Sequence, residues 1–287
     1  MKIKSFLILV SIYLLTNSIK ANIDTVSVTK AFNTQKIKLS ITGKGGYQGS
    51  CISMNIKNQF TDSLMVFIEA GKILDSKDST EQNILNVKDI FIPLASNQQK
   101  QVDVTGFCCQ AHNGAPKAKS IFSISSFEIE NLYKLGRYLN KAKLKDGSIQ
   151  SAVWCLSDNN ELSSIVDDGT EEVASLRKFI AAIKKLPIEN FWYSIHYKEI
   201  KNQLFSGVPE KVTGHFDYYI SDFSHVFVTI RDVQGTIVKS FEISKAADRG
   251  SYTYNLSWNV GNNPPGDYTV RIYQDERELK KLSIQLK

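Results

Sequence analysis

The sequence lacks the features that mark several large classes of protein. It has only four cysteines and six prolines among 287 residues. After the first 21 residues, no apolar run approaches the roughly 20 residues that a membrane-spanning helix needs. The lysines and arginines are interleaved with acidic residues, so there is no basic run of the nucleic-acid-binding type. We therefore expect no nucleic-acid partner and no integral membrane segment in the mature chain.

The common catalytic signatures are also missing. The sequence contains no G-x-S-x-G elbow, no H-E-x-x-H helix, no Walker loop and no Rossmann glycine fingerprint. The glycine-rich stretch at 43–46 comes before a strand-like segment rather than a helix, which is typical of a flexible turn. The acidic pair Asp167-Asp168 precedes a helix-like segment and is explained as a turn and cap. These absences predict a non-enzymatic protein with neither a cofactor nor a bound metal.

The N-terminus has the organisation of a secretory signal peptide, which we place at 1–21. Lys2 and Lys4 precede a short apolar core, and the small residues Ser18 and Ala21 offer cleavage points. Loss of this segment reduces the formal net charge from +6 to +3, because it carries three lysines and no acid. We therefore expect the mature chain to be exported to the periplasm, the cell surface or the medium.

Short segments of alternating hydrophobicity fill residues 22–126. Ile37, Leu39 and Ile41 share one face of a predicted strand, and further strands follow with polar or glycine breaks between them. Many short strands in succession are typical of an antiparallel sandwich. The pattern therefore predicts an N-terminal β-sandwich domain.

The apolar period becomes helical at 127–186, which predicts a helical segment packed on this N-terminal domain. The predicted boundaries are a capping box at Ser125–Glu128, a second helix from Ser148 to about Leu156, and a third helix between Thr170 and Pro187. A partly ordered connection is expected at 187–210.

Alternation returns at 211–287, where Phe216, Tyr218 and Ile220 share a strand face. The most distinctive residues are the Val228/Ile230 strand, the Asp232–Gly235 turn, Trp258, Pro265-Gly266 and the Tyr268/Val270/Arg271 strand. This pattern resembles the immunoglobulin-like module of flagellar hook-capping proteins and the C-terminal sorting domains of type IX secretion cargo. The resemblance implies an immunoglobulin-like β-sandwich that serves as a spacer, a binding unit or an export signal. The whole chain is thus expected to be mainly β with a helical insert.

The four cysteines are Cys51, Cys108, Cys109 and Cys155, and export would place them where disulfides form. They allow three pairings, and the sequence does not choose among these. Successive strand residues point to opposite faces, so Cys108 and Cys109 are expected to have different partners. We predict two disulfides, each joining one member of the adjacent pair to Cys51 or Cys155.

A metal site is a weaker alternative for the same stretch. Cys108, Cys109 and His112 could join one distant cysteine to form a site of three cysteines and one histidine. Their spacing lacks the C-x-x-C knuckle that is usual in structural zinc sites. We therefore predict that His112 is an exposed loop residue.

A third possibility comes from two short motifs within 104–158. The first is the aromatic-Cys segment "GFCC", and the second is "GSIQSAVW", in which Gln150 precedes Trp154 by one helical turn. Together they resemble bacterial thioester adhesion domains. The resemblance implies that Cys108 supplies the thiol of an internal thioester, that Gln150 supplies the acyl group, and that Trp154 packs beside them.

The sequence thus leaves three hypotheses about function. The favoured one is a secreted or cell-surface, non-enzymatic binding or structural protein with an unidentified surface or protein ligand. The second is a thioester adhesin that bonds covalently to a surface amine through Cys108 and Gln150. The third is a cysteine-dependent hydrolase that uses Cys108 or Cys109 with a distant histidine.

Overall fold

The computed structural model describes residues 25–187 and 192–287. The chain is mainly β with a small helical part, which confirms the fold class predicted from the sequence. The predicted signal peptide at 1–21 lies outside the described residues.

The strands of the N-terminal region are short and numerous, as the alternation predicts. They are β1 (Thr25–Ser27), β2 (Ile37–Lys44), β3 (Gln48–Asn58), β4 (Leu64–Ile68), β5 (Ile73–Ser76), β6 (Ile84–Asn86), β7 (Ile90–Leu94), β8 (Gln99–Cys108) and β9 (Ala118–Ile124). One short helix, α1 (Val28–Asn33), separates β1 from β2.

Six of these strands close into a barrel in the order β2-β3-β8-β6-β5-β9, because β9 pairs back to β2. The remaining three form a flanking sheet in the order β1-β4-β7. The sheets expected to pack as a sandwich therefore take the form of a barrel with a side sheet. Alternate residues such as Ile41, Met54 and Val104 fill the shared core. At Gly106 a Cβ atom would lie 2.2 Å from Cγ2 of Ile84, so the β6–β8 contact requires glycine.

Three longer helices follow the barrel: α2 (Glu130–Leu139), α3 (Asp146–Ser157) and α4 (Glu171–Lys184). The predicted cap of α4 is confirmed, since Oγ1 of Thr170 accepts a hydrogen bond from the backbone N–H of Val173. The predicted capping box before α2 is wrong. There the hydroxyl of Ser125 accepts from the N–H of Phe127, and α2 begins only after Ile129.

The helices cover one outer side of the barrel. Phe107, Leu85 and Cys109 point outward from the barrel and share a buried cluster with Leu135, Val153 and other helix residues. The apolar face of each helix is thus buried against barrel residues as well as against neighbouring helices, as expected for amphipathic helices.

Helix α2 approaches the barrel at a pair of glycines. A Cβ atom on Gly136 would lie 2.3 Å from the Cα of Gly71, and one on Gly71 would lie 2.8 Å from the ring of Tyr133. Gly71 also has a φ of 97°, which favours glycine. The helix and the β4–β5 connection therefore touch main chain to main chain.

The C-terminal region is a two-sheet sandwich, as the alternation predicts. Its strands are β10 (Tyr193–Tyr197), β11 (Pro209–Ile220), β12 (Ser224–Arg231), β13 (Ile237–Ala247), β14 (Gly250–Asn259), β15 (Gly266–Gln274) and β16 (Arg277–Leu286). The sheets are ordered β10-β11-β14 and β13-β12-β15-β16. Trp258 and Tyr268 meet between them with ring centroids 5.2 Å apart. The expected connection at 187–210 contains a strand of this sandwich, because β10 pairs antiparallel with β11.

Buried polar contacts join the helices to the sandwich. The Arg177 guanidinium, 2% exposed, donates a 2.6 Å hydrogen bond to the carbonyl of Tyr193 on β10 and lies 3.4 Å from the carboxylate of Asp167. The N–H of Asp167 donates to the hydroxyl of Ser194, also on β10. Burial lowers the pKa of Arg177, and the adjacent Asp167 carboxylate opposes that shift.

Candidate functional site

The adjacent cysteines lie at the end of β8 and face opposite sides of the barrel wall. Cys108 belongs to the barrel core together with Cys51, whereas Cys109 belongs to the core under the helices together with Cys155. This separation follows from the alternation of side chains along a strand, as the sequence predicts.

The structure brings Gln150 directly against Cys108. The β3–β8 ladder stops just before Cys108, because β3 begins at Gln48 opposite Phe107. The side-chain carboxamide of Gln150, on α3, completes the ladder. Its Oε1 accepts from the N–H of Cys108 at 3.1 Å, and its Nε2 donates to the carbonyl of Cys108 at 2.8 Å. The N–H of Cys108 also donates to the carbonyl of Tyr47 at 3.0 Å.

This contact fixes where the carboxamide lies relative to the thiol. Both hydrogen bonds of Gln150 go to main-chain atoms of Cys108, which lie in the plane of the sheet. The thiol of Cys108 stands out of that plane, within the barrel core. The two residues of the thioester hypothesis are therefore neighbours. Their contact has the form of a buried backbone-mimicking pair in which Gln150 is 3% exposed.

Burial makes all four thiols poor nucleophiles. It raises the pKa of Cys51 and of Cys155 to about 11, and it raises the pKa of Cys108 and of Cys109 further. The thiolate is the reactive form of cysteine, so a raised pKa favours the less reactive thiol form of these sulfurs at neutral pH. This environment differs from the electropositive, partly exposed surroundings that activate catalytic cysteines.

The thiols of Cys51 and Cys155 each lie near a main-chain carbonyl group. The sulfur of Cys51 lies 3.5 Å from the carbonyl oxygen of Gly106, and the sulfur of Cys155 lies 3.3 Å from the carbonyl oxygen of Glu161. All four cysteines are free thiols in this structure, so the two expected disulfides are not observed.

Trp154 lies one turn after Gln150 on α3 and belongs to an aromatic cluster. The centre of this cluster is Phe205, whose ring lies 5.8 Å from Trp154, 4.8 Å from Tyr197 and 6.1 Å from His112. The indole N–H of Trp154 is buried without a hydrogen-bond partner in the described part of the chain. His112 is exposed, as the sequence predicts.

Two of the histidines are paired with groups other than these cysteines. His196 pairs with the hydroxyl of Thr213 at 2.9 Å, and His225 lies 3.6 Å from a carboxylate oxygen of Glu242. Over residues 25–187 and 192–287, no group of three or more histidine, cysteine or acidic side chains is placed to hold a metal ion.

A different feature, an open groove of about 880 Å³ between α2 and α4, has the size of a ligand site. Its most apolar part is the pair Tyr138 and Phe179, whose rings stack with centroids 4.3 Å apart and planes inclined by 17°. Both rings are half-buried, so part of each remains accessible in the groove. Tyr133 and Ser175 complete the walls.

Charged side chains surround this aromatic floor. Lys134 and Arg137 lie on the α2 wall, and Lys141 and Lys143 lie on the turn after it. The first turn of α4 contributes Glu171 and Glu172 to the opposite wall. We refer to the groove with this floor and these walls as the α2–α4 groove.

Reasoning from the sequence did not identify the α2–α4 groove. Phe179 is part of the apolar stripe of α4 and reads as an ordinary core residue, while Tyr138 lies beside the stripe of α2. The signal present in the sequence is Tyr138, an aromatic residue on the flank of an amphipathic helix rather than within its apolar stripe.

Comparison with known proteins assigns no family. No family profile matches the chain, and no curated protein matches it significantly. Among solved structures, the chain is matched to the CBM51-2 and INT domains from Clostridium perfringens ZmpB, and to the same domains with CBM51-2 in complex with GlcNAc. Each match has 8% sequence identity, covers 86% of this chain and 77% of that chain, and has a TM-score of 0.18. A superposition this poor supports no conclusion about fold or function.

Within the described residues, no helix is long and apolar enough to cross a bilayer.

Proposed function

We propose that this chain is an exported, non-enzymatic binding protein of the periplasm, cell surface or medium, and that the α2–α4 groove is its binding site. The observation that carries the proposal is the groove itself. It combines an aromatic floor with charged walls and a volume of about 880 Å³, within the range that ligand pockets occupy.

The chemistry of the cysteine stretch supports a non-enzymatic role. Cys108 and Cys109 are buried thiols with raised pKa values, whereas a nucleophilic cysteine needs a lowered one. The exposed His112 rests against Phe205 rather than against a sulfur. A hydrolase based on these residues therefore gains no support from the arrangement.

The binding proposal is tested by filling the groove without disturbing the core. Ser175 is exposed on the groove wall, so Ser175→Trp adds bulk where only solvent is displaced. A thermal-shift screen of amphiphiles, glycans and peptides against the mature protein should yield stabilising compounds whose effect disappears in Ser175→Trp. The matched control is Ser251→Trp, an exposed substitution in the sandwich. Hits that survive Ser175→Trp unchanged would show that the groove is not the site.

Export is tested separately, by fractionating cells that produce the full chain and sequencing the N-terminus of the recovered protein. The proposal expects a mature chain that begins near residue 22 outside the cytoplasm. A chain that keeps its N-terminal residues and stays in the cytoplasm would contradict it.

The contact between Gln150 and Cys108 favours a second candidate, the thioester adhesin. Bond formation between the sulfur of Cys108 and the carboxamide carbon of Gln150 would break the C–N bond and release ammonia, with the thiol proton leaving on the ammonia. The mature chain would then weigh one ammonia less than its sequence predicts. An added methylamine would open the thioester and leave a methylamide on Gln150.

Intact mass measured without a thiol reductant decides this candidate. Loss of one ammonia that is absent in both Cys108→Ala and Gln150→Glu would support the thioester. The thioester candidate would be excluded by a mass equal to that of the unmodified sequence, together with alkylation of free Cys108 after unfolding. That result would not affect the binding proposal.

A further inference from the structure

Two lysines of the α2–α4 groove form no ion pair in the described part of the chain. The other two cations of the groove are neutralised locally. Lys134 lies 2.6 Å from a carboxylate oxygen of Glu130, and Arg137 lies 2.5 Å from one of Asp89. Lys141 and Lys143 are exposed and form no ion pair within residues 25–187 and 192–287.

These two lysines are not needed to cap α2 either. Cations after the end of a helix often interact with its last carbonyl groups. Here Nζ of Lys88 already donates to the carbonyls of Leu139 and Asn140, at 3.0 Å in each case. Lys141 and Lys143 are therefore free to interact with something in the groove.

The negative charges on the opposite wall of the groove are stabilised by the helix dipole of α4. Glu171 and Glu172 occupy the first turn of α4, where the positive end of the helix dipole stabilises negative charge. The groove is thus electrically uneven, with uncompensated positive charge at the turn after α2.

Resting on the proposed function, we propose that the α2–α4 groove binds an acidic amphiphile. Its flat apolar body would lie on the Tyr138–Phe179 floor and its anionic group against Lys141 and Lys143. Aromatic rings offer an apolar surface to such a body, and two exposed ammonium groups offer hydrogen-bond donors to a carboxylate, sulfonate or phosphate.

A pair of fluorescent probes tests this ligand class on the full mature chain. Anilinonaphthalene sulfonate has an apolar body and one anionic group, and N-phenylnaphthylamine has the same body without the sulfonate. Titration at low salt should show the sulfonate probe binding about tenfold more tightly than the neutral probe. Its advantage should shrink as added salt screens the lysines.

Substitutions then locate the effect. The double variant Lys141→Gln/Lys143→Gln should weaken binding of the sulfonate probe about fivefold and leave the neutral probe unchanged. Lys245→Glu produces the same change of net charge on an exposed strand of the sandwich, and it should alter neither probe. Circular dichroism of each variant establishes that it is folded.

The outcomes separate the ligand class from the groove. Equal affinity of the two probes, or a double variant that binds the sulfonate probe as the parent does, would overturn the acidic-amphiphile proposal while the groove remains a binding site. Binding of both probes that is unaffected by Ser175→Trp, or no binding of either, would overturn the proposed function as well.

Discussion

The C-terminal sandwich and the N-terminal barrel bury their apolar residues in different ways. The buried residues of the sandwich core all come from the C-terminal region, and they include Ile195, Trp258 and Ile284. The barrel strands instead contribute to two cores, because Val104 points inward while Phe107 points toward the helices. The sandwich thus completes its own core, whereas the barrel and helices complete each other.

This difference explains where the unusual polar contact occurs. In the sandwich, sheet strands pair with strands, and buried polar groups are few. At the barrel–helix boundary the β3–β8 ladder ends under a helix, and a side chain must satisfy the main chain there. Gln150 supplies that contact, so the cysteine stretch and the helices form one structural unit.

The largest expected effects come from removing the central aromatic residue of each region. Phe107→Ala and Trp258→Ala should each cost about 3–5 kcal/mol, because both side chains are fully buried. Hydrogen exchange measured by mass spectrometry should show lost protection in the barrel and helices for Phe107→Ala, and in the sandwich alone for Trp258→Ala. Equal loss of protection in both regions for either variant would break the comparison.

A smaller effect is expected from the buried glutamine of each region. Gln150→Leu should lower the free energy of unfolding by about 2–3 kcal/mol, since it leaves the carbonyl of Cys108 without its donor. Gln274→Leu in the sandwich should cost less. The one short hydrogen bond of Gln274, 2.7 Å from its Nε2 to the hydroxyl of Ser224, ends on a group that also donates to the carbonyl of Asp222, so that hydroxyl keeps a partner. The bonds that Oε1 of Gln274 accepts from Ser221 are long, at 3.3 and 3.5 Å. Urea titrations of the two variants compare them directly. A Gln274→Leu variant that is the less stable of the two would contradict the special role of Gln150.

The cap of α4 should contribute about 1 kcal/mol. Thr170→Ala removes the hydroxyl that accepts from the N–H of Val173 and donates to the carboxylate of Asp168, and Thr170→Ser retains both bonds. Chemical denaturation should therefore rank the parent and Thr170→Ser together above Thr170→Ala. The loss should be confined to the barrel–helix unit, where α4 packs. If Thr170→Ser is as unstable as Thr170→Ala, the methyl group rather than the cap is responsible.

The smallest effect is a dependence on pH. The pKa of Asp168 is lowered to about 2, first by its hydrogen bond from Lys145 and then by that from Thr170. A carboxyl whose pKa is lowered by folding stabilises the protein fully above its unfolded value of about 4. That stabilisation is lost as the pH falls toward 2. The unfolding midpoints of the parent and Asp168→Asn should thus differ at neutral pH and converge in this window.

The matched variant for this titration is Asp248→Asn, an exposed carboxylate of the sandwich. Its unfolding midpoint should follow that of the parent at every pH. A gap between parent and Asp168→Asn that persists to the lowest pH would show that the ion pair is not its source.

The features predictable from the sequence are those with a strong local signal. The alternation of Ile37, Leu39 and Ile41 predicts a strand without reference to distant residues. Thr170 predicts the start of a helix in the same way, because its own hydroxyl forms the cap. The opposite orientations of the Cys108 and Cys109 side chains likewise follow from strand geometry alone. The neighbourhood of Cys108 and Gln150 was also suggested by sequence, although the form of their contact was not.

The features missed by sequence reasoning depend on distant partners. Ser125 has the right residue type for a helix cap, but its N–H is bound to the carbonyl of Ile73 at the end of the sheet, so the helix starts later. Strand β10 has only five residues and becomes a strand through pairing with β11. The α2–α4 groove arises from the meeting of two helices that are more than thirty residues apart, and neither helix alone reveals it.

The contact between Gly71 and Gly136 has a consequence for the mechanics of the groove. The α2 wall is held by main chain against main chain, with no rotamers that could yield between them. Helix α4 meets its neighbours through side chains, which can repack. We therefore expect a change in the width of the groove to come from displacement of α4, with α2 held in place by the contact between Gly71 and Gly136.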